Sequence, residues 1–428
     1  MRYQALSSEV YSEHRKAFSA QMKTKHLAIF NSNDIMPTSA DGHLPFKQAT
    51  DILHLSGVDQ EDSILVLFPE TFQNSMREIL FVKETSEEIA IWEGEKLTKE
   101  KATLLSGVPT IFWTSDFERV LKGLLSEAEG VYLNNNEHTR ANIEVETRDM
   151  RFGKWFRNEY PNYTIERSAP IMHRIRSIKH PEEVEQMQKA CNITKSGLER
   201  VLKMVKPGVK EYEIEAEFAH EFLSNGSRGF AYTPIIASGA NACVLHYIEN
   251  HDVCNAGEVI LMDVGAEYGN YAADMTRCIP VSGKFTVRQK QIYNAVLSVM
   301  KDATQLLKPG VYLGEYHKQV GELMTEQLMN IGLISKHDVL KQNPNHPAYK
   351  KYFMHGTSHF IGLDVHDVGH WHEPIQAGNV FTVEPGIYIR EEGLGIRLEN
   401  DILIQENGHR DLMGHIPLEA DEIEELMN

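Results

Sequence analysis

The sequence predicts two domains, an α/β domain at residues 1–175 and an α+β domain with an internal duplication at residues 176–428. Three observations support this division. The chain has 428 residues, which is long for a single hydrophobic core. Short β-rich runs alternate with helical stretches in the first part, and one helix, breaker and helix pattern occurs twice in the second.

The first domain is predicted from short apolar runs of strand length, separated by polar turns and helical stretches. These runs are Leu27–Phe30, Ile64–Phe68, Ile79–Val82 and Ile111–Trp113. The tract at 160–176 has no clear periodicity. It is followed by Pro181, Glu182 and Glu183, residue types that favour the start of a helix. We therefore place the domain boundary near residue 175.

A repeated pattern organises the second domain. An amphipathic run from Pro181 ends at the breaker sequence Lys-Pro-Gly-Val at 206–209, and a second helix is predicted at 211–223. The same order recurs as an amphipathic run at 287–307, Lys-Pro-Gly-Val at 308–311, and another helix. The breaker alone could be only a common helix exit, but the repeated order favours a duplication. A site at the junction of two similar halves would follow.

Composition and charge narrow the class of function. The chain carries 43 basic and 61 acidic side chains, a formal net charge of −18, which disfavours nucleic-acid binding. No apolar run approaches the ~20 residues that cross a bilayer, and residues 1–18 lack the apolar region of a signal peptide. The four cysteines have no Cys-x-x-Cys spacing, so we expect them to be reduced. These features predict a soluble, cytoplasmic protein without nucleic-acid or membrane partners.

Two aspartates flank a predicted hairpin in the first repeat. Asp263 ends an apolar run, Asp274 follows it, and Gly269 and Asn270 between them are typical of a two-residue turn. Across such a hairpin the two carboxylates become diagonal neighbours on one face. Two like charges that close are costly unless a cation neutralises them or one takes a proton. The pair therefore indicates a metal site, although either aspartate alone would be interpreted as a turn or surface residue.

The second repeat supplies further potential ligands. His359 closes a His-Gly-Thr-Ser-His sequence, Glu384 ends a β-rich run, and Glu399 follows two positions after Arg397. Alternation places Arg397 and Glu399 on one strand face, where the guanidinium can orient the carboxylate; alone, they would be an exposed ion pair. One imidazole and four carboxylates form a ligand set for two divalent ions. The oxygen-rich set favours Mn²⁺, with Co²⁺, Fe²⁺ and Zn²⁺ as alternatives.

Other histidines lie close to this ligand set in the sequence. They are His246, His355 and His366. Glycines within the segment from His355 to His366 argue against one continuous helix there. A lone histidine is usually a surface residue or a hydrogen-bonded core residue, so these three are further candidates only because of the ligand set near them.

Two further segments are predicted to be exposed. The tract at 335–351 contains Pro344 and Pro347 among polar residues and is interpreted as a surface loop. His370 and His372 belong to a tract of metal-like composition, but we expect that tract to be an exposed loop rather than a metal site.

The residues resemble the pita-bread metallopeptidase family, which includes methionine aminopeptidase, prolidase and aminopeptidase P, and are most similar to its aminopeptidase P branch. The resemblance covers nearly the whole chain. The motifs that carry it are Met262-Asp-Val-Gly265, Asp274-Met-Thr-Arg277, Pro280-Val-Ser-Gly-Lys-Phe285, the segment from His355 to Asp367, and Glu384-Pro-Gly-Ile-Tyr388. It implies an N-terminal domain of the creatinase/prolidase type followed by a pita-bread catalytic domain.

The resemblance also implies roles for the ligand set. Asp263 would ligate one ion, and Asp274 and Glu399 would bridge two ions. His359 and Glu384 would ligate the other ion. Glu384 would in addition be the general base that accepts the proton of the attacking water.

By the same resemblance, His246 and His366 would contact substrate near the scissile bond and help to stabilise the developing oxyanion. His355 would shape the proline pocket. The outer supports of the ligands would be Tyr388 and Arg397. Asn400 departs from the acid that many relatives carry after the last ligand, so we expect an altered hydrogen bond there rather than loss of metal.

The resemblance implies hydrolysis of the bond between an N-terminal residue and a following proline, with such peptides as the partners. Because the N-terminal domain has no catalytic constellation, we expect it to border a neighbour's active site in a homodimer or homotetramer. The nearest alternative is prolidase, which would cleave only Xaa-Pro dipeptides. The remaining alternatives are methionine aminopeptidase, a non-catalytic binding protein on the same fold, and a creatinase-like enzyme that needs no metal.

Overall fold

A computed structural model describes residues 2–428. The chain separates into two compact units, one formed by Ala5–Arg176 and the other by Ser177–Asn428 together with residues 2–4. Among the described residues, no helix is both long enough and apolar enough to cross a bilayer. All four cysteines are free and buried.

The first unit is an α/β fold. Its helices are α1 Ser8–Ser19, α2 Thr50–Ser56, α3 Glu87–Glu93, α4 Lys99–Ser106, α5 Phe117–Leu125, α6 Arg148–Glu159 and α7 Ala169–Ser177. Its strands are β1 His26–Asn31, β2 Ile64–Leu67, β3 Glu78–Val82, β4 Thr110–Trp113, β5 Gly130–Leu133 and β6 Thr164–Arg167. The four apolar runs predicted as strands therefore correspond to β1, β2, β3 and β4.

These strands form one mixed sheet in the order β4-β3-β2-β1-β5-β6. Both faces of the sheet are covered. Ala28 and Phe30 of β1 belong to one apolar cluster with residues of α1 and α2, whereas Leu27 and Ile29 belong to a second cluster with residues of α5 and α6. A strand buried on both faces is a continuous apolar run rather than an alternating one, which explains why these strands were recognisable in the sequence.

The tract at 160–176, which has no clear periodicity, is regular in the structure. It contains β6 and α7. Strand β6 is an edge strand with exposed and half-buried side chains, so its sequence lacks the apolar run of an interior strand. Its pairing is decided by the backbone of β5, with Val131 opposite Ile165.

Asp149 in α6 is a carboxyl group without a basic partner among its hydrogen-bond donors. It accepts hydrogen bonds from Nδ2 of Asn31 (2.8 Å) and Nδ2 of Asn134 (3.0 Å). Burial raises the pKa of Asp149 to about 7, although both amide donors act in the opposite direction. The folded protein therefore keeps a proton that the unfolded chain, with an aspartate pKa of about 4, loses first.

We expect Asp149→Asn to stabilise the protein at pH 8 but not at pH 4. Because the folded pKa is the higher one, wild-type stability falls as the pH rises from about 4 to about 7, by about 1.4 kcal/mol for each pH unit between the two pKa values. The asparagine variant should lack this component, giving a gain of about 1 kcal/mol or more at pH 8. Urea unfolding at both pH values tests this, with Asp41→Asn at an exposed site as control. Equal variant and wild-type pH profiles would contradict it.

The second unit is an α+β fold. Its helices are α8 Pro181–Met204, α9 Glu211–Ser224, α10 Val287–Leu306, α11 Leu313–Asn330, α12 Lys336–Lys341 and α13 Ala420–Met427. Its strands are β7 Ile235–Ser238, β8 Val259–Val264, β9 Glu267–Tyr268, β10 Tyr271–Ala272, β11 Met275–Pro280, β12 Val380–Val383, β13 Gly386–Ile389, β14 Leu394–Arg397, β15 Asn400–Gln405 and β16 Gly408–Asp411.

The internal duplication is visible in the order and pairing of these elements. Helices α8 and α9 are followed by an antiparallel pair, β8 with β11, whose far end is the small ribbon of β9 and β10. Helices α10 and α11 are followed in the same way by β12 paired with β15, whose far end is the ribbon of β13 and β14. The third strands differ between the halves, because β7 pairs with the first strand of its pair, β8, whereas β16 pairs with the second strand of the other, β15. The predicted α+β fold with two similar halves is confirmed.

The sequence predicts a surface loop at 335–351, but the structure shows that this tract is partly helical. It contains the short helix α12, and a 3₁₀ turn at its end. Ser335 accepts a hydrogen bond from the backbone N–H of Asp338 (3.2 Å), whose carboxylate accepts one from the backbone N–H of Ser335 (2.8 Å). This reciprocal cap starts the helix. The proline and polar composition concealed it.

Candidate metal centre and active site

The predicted carboxylate ligands come from equivalent places in the two halves. Asp263 lies near the end of β8 and Asp274 immediately precedes β11. Glu384 immediately follows β12 and Glu399 immediately precedes β15. Each pair therefore lies where two paired strands open into their ribbon. The two openings are joined, because the backbone N–H of Glu399 donates to the carbonyl of Thr276 (3.1 Å).

The first pair has the predicted hairpin geometry. Asp263 pairs with Thr276, so Asp274, two residues before Thr276, is its diagonal neighbour on the same face. The ribbon turns at Gly269 and Asn270, which both have positive φ (61° and 71°). A two-residue turn with this backbone is favoured by the right-handed twist of the strands, and glycine and asparagine adopt it readily.

Tyr232, which the sequence interpretation missed, lies between the two aspartates. Its hydroxyl oxygen is 2.6 Å from Oδ1 of Asp263 and 2.6 Å from Oδ1 of Asp274. One hydroxyl proton cannot serve both carboxylates at once, so an acidic oxygen remains incompletely satisfied in this arrangement. A lone tyrosine before Thr233 and Pro234 carries no sequence signal for this position.

His359 completes the cluster from the second half. Its Nε2 atom lies 3.5 Å from Oδ2 of Asp274 and 3.8 Å from Oε1 of Glu384. Donor atoms of His359, Asp274 and Glu399 all lie within 4.8 Å of one another. Nδ1 of His359 is 2.9 Å from the carbonyl of Phe360 and can only donate to it. In the neutral form of the ring, Nε2 is the unprotonated nitrogen and faces the carboxylates, the arrangement that a metal-binding imidazole adopts.

The cluster is electrostatically unfavourable without a cation. Burial, and then the charges of neighbouring carboxylates, raises the pKa values of Asp274 and Glu399 well above the ordinary range. Burial also raises the pKa of Glu384 to about 7, against the lowering effect of His359 and Arg397. Buried carboxylates with shared repulsion and an imidazole aimed at them fit divalent cations. The side chains present can therefore hold the metal that the sequence predicts.

Arg397 supports the centre from its side. Its guanidinium donates from one nitrogen to Oδ2 of Asp263 (2.5 Å) and from Nε to the hydroxyl of Thr276 (3.0 Å). That hydroxyl donates in turn to Oε2 of Glu399 (2.6 Å). Arg397 therefore contacts Asp263 directly and Glu399 only through Thr276, whereas the strand alternation suggested a direct role at Glu399. Thr276 belongs to one of the family motifs, but its sequence position does not indicate this role.

Thr276→Val should weaken metal binding without unfolding the protein. The valine keeps the shape of the side chain but removes the hydroxyl that orients Glu399 and accepts from Arg397. We expect a loss of about 10- to 100-fold in metal affinity, typical of substitutions beside a ligand. Titration of metal-stripped protein measures it. Thr276→Ser retains the hydroxyl and serves as control, and equal affinities of valine and serine variants would contradict the assignment.

His355 and Tyr388 continue this network towards the surface. Arg397 donates to the hydroxyl of Tyr388 (3.1 Å), so that hydroxyl gives its own proton to Nε2 of His355 (2.7 Å). Nδ1 of His355 then carries the ring proton and donates to the carbonyl of Gly356 (2.7 Å). Burial, together with the charge of Arg397, lowers the pKa of His355 to about 3. His355 is therefore held neutral with both nitrogens committed, although it lies 3.7 Å from Oε2 of Glu384.

His366 and His246 are exposed near the cluster. The ring of His366 packs edge to face against His359, with 4.4 Å between the ring centroids. Asp367, the next residue, is buried and paired with Lys179 at 3.0 Å. His246 is a minor cause of the lowered pKa of His355, after burial and the charge of Arg397. As the sequence indicated, no continuous helix runs from His355 to His366.

Asn400 has a structural role that its sequence position did not reveal. Its Oδ1 accepts a hydrogen bond from Arg277 (2.7 Å), and its Nδ2 donates to Oδ2 of Asp411 (2.7 Å). Arg277 is fully buried and also donates to the backbone carbonyl of Glu399 (2.7 Å). Asp401, also unrecognised, accepts a hydrogen bond from the backbone N–H of Asp274 (3.1 Å). Arg277 and Asp401 therefore fix the backbone of the proposed ligands Glu399 and Asp274.

The tract with His370 and His372 is half-buried to exposed and forms no helix or strand. Side-chain donor atoms of His370, His372 and Glu373 nevertheless lie within 4.8 Å of one another. None of these atoms belongs to the cluster of Asp274, His359 and Glu399. The predicted ligand set is therefore brought together without them.

A duplicated α+β fold that gathers carboxylates and an imidazole where its two hairpins open defines a metal-dependent hydrolase. Comparison with known proteins narrows this class. Residues 185–406 match the model of metallopeptidase family M24, and residues 11–132 match that of the aminopeptidase P N-terminal domain. The chain belongs to metallopeptidase family M24 and is a metallo-exopeptidase.

Individual relatives match over nearly the full length. The Xaa-Pro aminopeptidase of Escherichia coli (strain K12) is 34% identical over 99% of this chain and 98% of that protein. Xaa-Pro aminopeptidase 3 of Homo sapiens is 29% identical over 96% of this chain and 83% of that protein. Among solved structures, zinc-substituted Escherichia coli aminopeptidase P in complex with product is similar, with a TM-score of 0.87 and 32% identity over 99% of both chains. An aminopeptidase of Pseudomonas aeruginosa has a TM-score of 0.89 at 29% identity, covering 99% of this chain and 98% of that one.

Proposed function

We propose that the protein is an Xaa-Pro aminopeptidase, which hydrolyses the bond between an N-terminal residue and a following proline. The observation that carries this proposal is the cluster of Asp263, Asp274, His359, Glu384 and Glu399, in a chain whose full-length relatives are named for this activity. The tertiary amide before proline lacks an N–H group, so a site shaped for this bond is chemically reasonable.

The proposed cofactors are two divalent ions. Mn²⁺ is the preferred candidate, and Co²⁺, Fe²⁺ and Zn²⁺ are the alternatives. The support is the donor set, which is rich in oxygen and contains one imidazole. Asp263 would hold one ion, His359 and Glu384 the other, and Asp274 and Glu399 both. When bound, such ions lower the pKa of water and polarise the scissile carbonyl.

Glu384 is proposed as the general base. Its Oε1 lies 3.8 Å from the imidazole of His359 and its Oε2 lies 3.7 Å from that of His355. Both distances are longer than a hydrogen bond, so neither imidazole holds the carboxylate tightly. Burial raises its pKa to about 7 in the metal-free protein, and a positioned carboxylate is a suitable general base. It would accept the proton of water and deliver it to the proline nitrogen.

The surrounding side chains would bind and orient the substrate. His246 and His366 are exposed imidazoles beside the cluster and can donate hydrogen bonds to the scissile carbonyl. His355, held neutral through Tyr388 and Arg397, presents a fixed ring face that suits the proline pocket. Its commitment to two hydrogen bonds argues against a role in proton transfer.

Two substrates and two metal states test this function. Metal-stripped protein with and without added Mn²⁺ is assayed for release of the N-terminal residue from an Xaa-Pro-Yaa tripeptide and an Xaa-Pro dipeptide. Metal-dependent cleavage of the tripeptide is the expected result. Cleavage of the dipeptide alone would identify a prolidase, and cleavage of neither would contradict the proposal. Zn²⁺ and Co²⁺ in place of Mn²⁺ test the choice of ion.

The domain roles are also proposed. Residues 176–428 would carry catalysis, while residues 1–175 would border the active site of a neighbouring subunit in a homodimer or homotetramer. Light scattering tests the oligomer, and a monomer would contradict it.

A cytoplasmic location is supported by four buried cysteines that remain free thiols. Fractionation of the native cells tests the location.

A further inference from the structure

Glu211 is a buried carboxylate at the first position of α9, outside the ligand cluster. Glu211 is 0% exposed. Oε1 accepts hydrogen bonds from the backbone N–H (2.7 Å) and hydroxyl (2.8 Å) of Ser238 and from Nδ2 of Asn241 (3.3 Å). Oε2 accepts from the hydroxyl of Tyr247 (2.7 Å) and the backbone N–H of Asp252 (3.0 Å). None of these donors is a basic side chain.

All of these donors belong to one segment, residues 238–252, which begins as β7 ends. The segment has one 3₁₀ turn, Gly239–Cys243, and otherwise no regular backbone pairing of its own to hold its shape. Hydrogen bonds to a carboxylate are stronger than those between neutral groups. Glu211 therefore holds this loop at four of its residues where secondary structure is lacking, and Asn250 holds it separately through Ile236 and Pro234.

The second half of the molecule shows that the start of the helix does not require this glutamate. Helices α9 and α11 both begin two residues after a Lys-Pro-Gly-Val sequence, at Glu211 and Leu313 respectively. Because leucine occupies the equivalent first position of α11, an acidic side chain there is not needed to form the helix. Its presence in α9 is explained by the loop that it holds.

The loop lies against the active-site side of the fold. A Cβ atom added at Gly395 would be 2.2 Å from the carbonyl oxygen of Ala242, so the loop backbone packs closely on β14, the strand of Arg397. Tyr247 is anchored and buried, and His246 beside it is exposed on the same loop, whose packing partner Gly395 lies opposite Tyr388 in the pair of β13 and β14. Fixing Tyr247 therefore limits where the imidazole of His246 can be.

We propose that Glu211 is a positioning residue, which places His246 at the active site by holding the loop at residues 238–252. This inference rests on the proposed function, because it takes His246 as a substrate contact. It assigns to Glu211 an effect on the rate that acts through His246 and not through metal binding.

A double-mutant cycle tests the coupling. Glu211→Gln keeps the volume but turns an amide N–H₂ group towards backbone and hydroxyl donors. With an Xaa-Pro-Yaa tripeptide and Mn²⁺, we expect a loss of about 10-fold in kcat/KM in the wild-type background. In the His246→Ala background the same substitution should cost less than about 2-fold, because the group being positioned is gone. Metal content should be unchanged throughout.

Controls separate this role from general support of the fold. Glu213→Gln makes the same change two residues on, where the carboxylate only accepts a hydrogen bond from the backbone N–H of Lys210 (2.8 Å), and should leave kcat/KM unchanged. If Glu211→Gln does not fold, Tyr247→Phe removes the single donor beside His246 and should show the same coupling with a smaller loss. Equal losses in both His246 backgrounds, or no loss in either, would overturn the proposal.

Hydrogen exchange gives a reading that does not depend on activity. Amides of residues 239–252 should exchange faster in Glu211→Gln than in wild-type or Glu213→Gln protein. Unchanged exchange would overturn the proposal. Wild-type protein that cleaves no Xaa-Pro peptide would refute the proposed function, while the exchange result would still decide whether Glu211 orders the loop.

Discussion

Glu384→Gln is expected to reduce kcat/KM for Xaa-Pro-Yaa peptides by about 10²- to 10⁴-fold, the range for removal of a general base. The amide has nearly the same shape but cannot take a proton from water. It also offers only one oxygen to the two imidazoles that face the carboxylate. Steady-state kinetics at saturating Mn²⁺ measure the effect, and metal analysis of the same samples shows how much of it reflects weaker binding.

Two further variants are compared with Glu384→Gln. Glu391→Gln makes the same chemical change at an exposed position and should retain full activity. Tyr388→Phe removes the proton donor to His355 but leaves the carboxylate cluster intact, so a loss nearer 10-fold is expected. A Glu384→Gln protein that kept more than about one tenth of wild-type kcat/KM would rule out Glu384 as the base.

Glu399→Gln should abolish activity and yet stabilise the metal-free protein at pH 8. Burial and neighbouring carboxylates raise the folded pKa of Glu399 above its unfolded value. The native state then binds more protons, so the stability of the metal-free protein falls as the pH rises above about 4. Glutamine removes that charge while its remaining oxygen can still accept from Thr276. We expect a rise of about 3 °C or more in the metal-free melting temperature.

Added metal should reverse the order of stability. Binding to the native state at 100 times Kd contributes about 2.7 kcal/mol, so Mn²⁺ should raise the melting temperature of the wild type by several degrees. The Glu399→Gln protein should respond little, since it lacks one of the proposed bridging ligands. Scanning calorimetry at pH 5 and 8, with and without Mn²⁺, measures all four states. A metal-free variant less stable than the wild type at pH 8 would indicate a structural residue instead.

Much of the molecule could be predicted from local sequence. The strands of the first unit are apolar runs of strand length, and the breaker sequences at 206–209 and 308–311 revealed the repeat. The pairing of Asp263 with Asp274 followed from Gly269 and Asn270, because a two-residue turn determines which residues face each other. Each of these inferences depends on residues close together in the chain.

The tertiary structure alone decided how the two halves combine. Tyr232, Thr276 and Asp401 contact ligands that are distant in sequence, and hydroxyl groups or acids of these common types carry no signal of such contacts. Arg397 contacts Asp263 across 134 positions, whereas strand alternation could relate it only to Glu399. Sequence determined the chemistry of the side chains and their local geometry. The packing of the two hairpins determined which charged side chains interact. Their electrostatic energies depend on burial and on the distances between segments that are far apart in the sequence.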